Sequence, residues 1–198
     1  MKFLTFVDLH EDKKALKLLL ERAKEEDIEF LVCAGDLSQF SRNLRFMLRQ
    51  LNELGKKIYV LPGNHESDRT LSEVLPDYPN FVAFHKKEIE INNYIFLGYG
   101  EGGFAQEDVE FRRIAREWYG KHKGKKTVLV THGPPYGTKT DLLDGHYVGN
   151  KDFRSFIERI EPHLVICGHI HETAGQVDNI GKTKIVNPGC EGMVIELN

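Results

Sequence analysis

The chain is short of cysteine, of long apolar runs and of surplus charge, and each shortage removes a class of protein. Its three cysteines, Cys33, Cys167 and Cys190, are odd in number, far apart and without a CxxC pair. That pattern argues against a disulfide framework and a thiolate-held zinc, and it suits a reducing compartment. No apolar run approaches the ~20 residues that cross a bilayer. Met1 to Val7 is too short for a leader before polar residues begin. The expected address is the cytoplasm, with no membrane partner. Lys and Arg total 27 against 30 Asp and Glu, a net charge of −3, so no global field draws in DNA or RNA. Repeats, low-complexity tracts and linkers are also missing. The 198 residues read as a single domain spanning 1–198, long enough to bury roughly 70% of its unfolded surface.

What is present is a set of apolar runs that end on metal-binding side chains. Lys2 to Val7 leads into Asp8-Leu9-His10, and Ile28 to Ala34 leads into Gly35-Asp36. Ile58 to Leu61 leads into Gly63-Asn64-His65-Glu66, Thr127 to Thr131 into His132, and Leu164 to Cys167 into Gly168-His169-Ile170-His171. Runs this rich in Val, Ile, Leu and Phe read as buried strands, and open α/β sheets bind ligands just beyond the carboxyl ends of their strands. Each strand therefore delivers its polar residues to one place.

Helical spacing alternates with these strands. It predicts helices over Asp12–Lys24, Ser41–Leu54, Glu107–His122 and Asp152–Ile160, the last with Asn150 or Lys151 near its start. Shorter strands are predicted at Phe81–Phe84, Glu88–Ile91, Tyr94–Tyr99 and Met193–Leu197. Gly133 to Gly149 has no periodicity and directly follows His132. A loop that long in a compact domain is usually functional, which makes it the expected substrate rim and His146 a candidate substrate contact.

In Asp-x-His the two ligands sit at i and i+2, so an extended chain turns both to one side, and His169-x-His171 repeats the geometry. Asp36 has two oxygens with which to bridge two ions. One division gives the first ion Asp8, His10, Asp36 and His171, and the second Asp36, Asn64, His132 and His169. A shell of carboxylate, amide and imidazole suits two divalent metals per chain, Mn²⁺ first, with Fe, Zn²⁺, Co²⁺ or Ni²⁺ as alternatives. Two such ions lower the pKa of a bridging water, which as hydroxide attacks phosphorus.

In order, D-x-H, G-D, G-N-H-E, H and G-H-x-H resemble the pattern of the calcineurin-like metallophosphoesterase superfamily, and the blocks run from residue 8 to residue 171. Asn187-Pro188-Gly189 is similar to the family's closing turn. The resemblance implies a four-layer α/β-β/α sandwich, a binuclear metal centre and hydrolysis of phosphoesters, with diesters slightly favoured over monoesters. It implies Asp8, His10, Asp36, Asn64, His132, His169 and His171 as ligands. It also implies His65 as a general acid that is not a ligand. The substrate class is a small phosphoester, and a homo-oligomer stays open.

Two alternatives accompany this reading. The retromer subunit of the same fold is an interaction scaffold that has lost the catalytic histidine, whereas this chain keeps His65. A nuclease would need a basic surplus that is missing here. The Ser/Thr phosphatases of the superfamily carry G-D-x-V-D-R-G. Here Gly35-Asp36-Leu37-Ser38-Gln39-Phe40-Ser41-Arg42 lacks the second Asp, so Asp68 or Asp141 becomes the candidate for orienting His65. His85 and His122 read as surface residues, His163 as packing or solvent, and Cys33 and Cys167 as small apolar packing beneath the site. Arg42 and Arg69 could meet a phosphate. Phe40, Tyr99, Phe104, Tyr136 and Tyr147 could stack a base, though core and rim packing explains them equally well.

Overall fold

Successive side chains of a strand point to opposite faces. In β1 (Lys2–Phe6) and β2 (Phe30–Cys33) all but Lys2 are buried, so both faces must be covered. In the computed structural model, which describes residues 1–25 and 27–198, that cover is a second sheet on one side and helices on the other.

With β3 (Ile58–Val60), β4 (Phe81–Ala83) and β13 (Met193–Glu196), these strands make a sheet in the order β13-β1-β2-β3-β4. The second sheet comprises β5 (Lys87–Ile91), β6 (Tyr94–Tyr99), β7 (Thr127–Thr131), β10 (Leu164–Ile166), β11 (Val177–Ile180) and β12 (Thr183–Val186). Its order is β11-β12-β10-β7-β6-β5. β1 to β4 are parallel neighbours, as are β6, β7, β10 and β12. The antiparallel strands β13, β5 and β11 sit at edges. A small separate hairpin pairs β8 (Leu142–Leu143) with β9 (His146–Tyr147).

Three apolar clusters glue four layers together. Leu4, Phe6, Leu31 and Cys33 pack on helices α1 (Lys13–Arg22), α2 (Leu44–Asn52) and α3 (Asp68–Val74). Phe3, Val7, Phe30 and Val32 face Phe96, Val128, Val130 and Ile166 of the other sheet. Leu97, Leu129 and Val165 pack on α4 (Val109–His122) and α5 (Lys151–Ile160). Phe3 stacks on Phe30 with centroids 4.9 Å apart and meets Phe96 edge-on at 5.7 Å. Phe3 is therefore a direct contact between the sheets, and truncating it to Ala costs about 3–5 kcal/mol. The result is the α/β-β/α sandwich. No described helix is long and apolar enough to cross a membrane.

Several local expectations change. The second helix begins at Leu44 rather than Ser41, because Phe40, Ser41 and Asn43 take positive φ of 51°, 62° and 47°, which a right-handed helix does not accept. The helix α3, capped by the Ser67 hydroxyl on Thr70 N–H, is seven residues long with only Leu71 buried, too little periodicity to be read. The β11–β12 hairpin is likewise additional. Gly133–Gly149 is organised rather than irregular. Asp141, fully buried, accepts from the backbone N–H groups of Gly137, Thr138 and Gly149. His85 and His122 are buried rather than at the surface. His85 Nδ1 accepts from Gly100 N–H, and His122 Nε2 lies 2.9 Å from Glu88 Oε2. His163 is exposed, its ring edge-on to Tyr94, and Cys33 and Cys167 are fully buried.

Candidate metal centre

The parallel strands all finish at one rim of the two sheets, and the residues that follow them bend into it. Asp8, His10, Asp36 and His169 have φ of 54°, 42°, 55° and 70°. Each is a left-handed conformation that costs a non-glycine residue of order 1 kcal/mol or more and that clusters at functional sites. The approach is close enough to require glycine beside the ligands. A Cβ on Gly63 would run into the Asp36 carboxylate, and one on Gly168 into the Val7 side chain.

Two groups of donor atoms result. In the first, His10 Nε2 and His171 Nε2 lie 3.0 Å apart, and Asp8 Oδ1 stands 3.9 and 3.8 Å from them. In the second, the Asn64 side-chain oxygen is 2.9 Å from both His132 Nε2 and His169 Nδ1. One atom joins them: Asp36 Oδ2 is 3.6 Å from His10 Nε2 and 3.4 Å from His132 Nε2.

These groups fit cations. Donors each about 2.0–2.2 Å from a shared ion stand roughly 3–4 Å from one another, as these do. Asp8 Oδ1 is buried with no hydrogen-bond donor, while its Oδ2 accepts from His169 N–H at 2.8 Å. A lone buried carboxylate oxygen aimed at ring nitrogens is costly unless positive charge lies between them. His132 Nδ1 lies 2.9 Å from the Ala34 carbonyl. A carbonyl only accepts, so the proton sits on Nδ1 and the Nε2 lone pair faces the site, the usual way a ligating imidazole is oriented. Asp36 Oδ1 is tied down by His65 N–H at 2.9 Å.

Electrostatics favour neutral donor rings at His169 and His10. Burial pushes His169 down to about 4 and lowers His10, so both rings are neutral donors at pH 7. Burial raises Asp8, opposed by the charge of His132 and reinforced by the nearby Asp36 carboxylate. Asp36 feels the same burial but ends below its ordinary value through the hydrogen bond and charge of His132. Burial lowers His132 in turn, but Asp36 and Asp8 outweigh it and leave that ring raised, so an ion at its Nε2 would take the place of a proton. Among the described residues, no Lys or Arg lines the adjoining cleft of about 420 Å³, which is walled by Asp8, His10, Gln39, His65, His171 and Cys190 among others.

Not every candidate arrives. His146 is exposed on β9 and does not line the cleft. Arg42 is exposed, and Arg69 pairs with Glu73 along its own helix. Neither Asp68 nor Asp141 is hydrogen-bonded to His65, whose Nδ1 is buried without a partner, and Asp141 is committed to its loop. The ring beside His65 belongs to Phe40, with centroids 4.3 Å apart. A further contributor was missed at Glu66, which is buried and accepts from both the N–H and the hydroxyl of Ser38. Its only sequence signal was its place as the last residue of the Gly63-Asn64-His65-Glu66 block.

This arrangement can be set beside known proteins. A family model described as calcineurin-like phosphoesterase matches residues 1–173. The chain belongs to that family. It is thus a metal-dependent hydrolase of phosphoester bonds. The protein MJ1162 of Methanocaldococcus jannaschii is 31% identical to this phosphoesterase over 95% of the chain and 88% of its own length. The 3',5'-cyclic adenosine monophosphate phosphodiesterase CpdA of Haemophilus influenzae is 24% identical over 78% of the chain, which spans 59% of that enzyme. Among solved structures, TT1561 of Thermus thermophilus shares the fold with a TM-score of 0.75 at 18% identity, over 96% of this chain and 90% of that one.

Proposed function

We propose that this phosphoesterase uses two divalent metal ions to hydrolyse small phosphodiesters in preference to monoesters. The observation that carries the proposal is the single oxygen Asp36 Oδ2, which stands within 3.6 Å of a nitrogen of each donor group. Asp8, His10, Asp36 and His171 would hold one ion, and Asp36, Asn64, His132 and His169 the other. Their oxygen and nitrogen donors suit Mn²⁺ and also accept Fe, Zn²⁺, Co²⁺ or Ni²⁺. Bound there, two ions supply the positive charge that draws a phosphate and bring the pKa of a water toward neutrality.

The chain's own residues do the rest. Two aspartates return only part of the metals' charge, so the site stays attractive to an anion although no Lys or Arg lines the cleft. His65 offers a nitrogen to the group of His10 and Asp36, but Asp8 and His171 already fill that side. His65 is left to face the substrate, where it gives a proton to the departing oxygen, as an imidazole can near pH 7. The diester preference is supported by the likeness to CpdA, itself named a phosphodiesterase.

Elemental analysis together with a screen of aryl phosphate mono- and diesters tests this reading. The expected result is two ions per chain, faster diester turnover with Mn²⁺ added, and loss of activity to a chelator. Saturation at one ion, or no turnover with any of these metals, would overturn it.

A further inference from the structure

Two large apolar side chains stand in solvent against the metal centre, and each touches a different histidine. Phe40 is 75% exposed and lies 4.3 Å from the His65 ring, with planes 34° apart. Phe104 is 58% exposed and lies 4.4 Å from the His169 ring, edge-on. Neither is there by default. Phe40 is itself in the left-handed region with φ of 51°, as is Ser41, and its loop is anchored on both sides. Glu66 grips Ser38, and Glu11 accepts from Gln39 N–H and the Asn43 side chain. Phe104 follows Glu101, Gly102 and Gly103, which all have positive φ. At Phe40, strained and pinned backbone holds a phenyl ring in water, which is disfavoured twice over and marks a binding role; at Phe104 the glycine turn sets the ring in water against His169.

The cleft completes the picture. Its walls beyond the donor atoms include Leu9, Ala174, Gly189 and Cys190, and its ionisable members are Asp8, Asp12, His10, His65 and His171, with no Lys or Arg among the described residues. Nothing there would receive a second phosphate. Phe40 and Phe104 are not among these walls; they stand beside the cleft, against His65 and His169, where an organic arm reaching out from the donor groups meets them.

Resting on the two-metal reading above, we infer that Phe40 and Phe104 are specificity-determining residues that grip the two organic arms of a phosphodiester, selecting flat or apolar arms over sugars and polyols. Phe40 lies beside His65, the proton donor, so it holds the arm that leaves. Phe104 lies beside His169 of the other donor group, so it holds the arm that stays. Stacking of a planar group on an aromatic side chain is commonly worth about 5- to 150-fold in affinity.

Steady-state kinetics on bis(p-nitrophenyl) phosphate and methyl p-nitrophenyl phosphate test the assignment, because the aryl arm leaves from both while only the first keeps an aryl arm. Phe40→Ala is expected to raise KM about 10-fold on both esters with kcat near wild type. Phe104→Ala is expected to raise KM similarly on the bis-aryl ester alone. Phe40→Tyr and Phe104→Tyr should restore binding, and metal content should match wild type in all four variants. If Phe40 only props His65, Phe40→Ala leaves KM at the wild-type value on both aryl esters and slows only esters with poor leaving groups, and the inference fails. Equal effects of Phe104→Ala on both esters, or unchanged KM in both alanine variants, also overturn it while leaving phosphodiester hydrolysis intact. Wild-type protein that turns over neither ester overturns the underlying function and the inference with it.

Discussion

Glu66 Oε1 accepts two hydrogen bonds from Ser38, one from its backbone N–H at 2.5 Å and one from its hydroxyl at 2.6 Å. This pair ties the loop that carries Asn64 and His65 to the loop that follows Asp36. Removing the carboxylate in Glu66→Ala leaves a buried N–H and hydroxyl unpaired, at a cost of about 1–3 kcal/mol. Ser38→Ala loses only the hydroxyl's bond and should cost about 1 kcal/mol. Chemical denaturation read alongside metal affinity checks the ranking. A Glu66→Ala protein as stable as wild type and with unaltered metal affinity would refute the tie.

Asp36 Oδ2 lies within 3.6 Å of a nitrogen of each donor group, so under the two-metal proposal its loss should be felt twice. Asp36→Asn is expected to weaken binding of both ions and to be the most damaging ligand change. Asp8→Asn and His171→Ala should each weaken mainly one. Metal titration of the three variants reads this directly. Untouched binding in Asp36→Asn, or a deeper loss in Asp8→Asn, would show that the carboxylate does not bridge.

The role assigned to His65 separates proton donation from simple phosphate binding. His65→Ala should slow an alkyl phosphoester by about 10²–10⁴-fold, the usual worth of a positioned acid. A p-nitrophenyl ester, whose phenolate departs unaided, should lose far less. Metal content should hold at the wild-type level. Equal losses for good and poor leaving groups would limit His65 to positioning, and lowered metal content would make it a ligand.

His85 supplies a pH signature away from the centre. Burial, with the adjacent Lys86 charge, lowers its pKa, and Glu101, 3.8 Å from Nε2, only partly offsets this. Its Nδ1 accepts from Gly100 N–H, a bond that protonation of that nitrogen would break. The unfolded chain takes up a proton near pH 6.5 that the folded chain refuses, so this contribution is complete above about pH 6.5 and is lost as pH falls through the folded value. Urea midpoints measured from about pH 8 to about pH 5 should fall for wild type and fall less steeply for His85→Gln. Parallel curves would rule His85 out.

The donor residues were legible because each lies within a few residues of the end of a short apolar strand. Parallel strands send their carboxyl ends to a common rim, so spacing alone predicted the meeting of Asp8, Asp36, Asn64, His132 and His169. The alternation that buries both faces of β1 and β2 also pointed to covered sheets. Phe40 escaped this logic. It was readable only as one of five aromatics that could stack a base. Its place beside His65 depends on the positive φ of Phe40 and Ser41 and on the contacts that Glu66 and Glu11 make with Ser38, Gln39 and Asn43. His85 and His122 escaped it too, since their burial depends on partners 15 and 34 residues away in the chain. Asp141 looked free to orient a histidine and is consumed by its own loop. Periodicity is a local property, set by the geometry of one strand or helix, and the sequence alone therefore decided which residues reach the rim. Which oxygen of Asp36 is shared, and which rings stand around it, depends on how two separately formed sheets align, and only packing across their interface decides that.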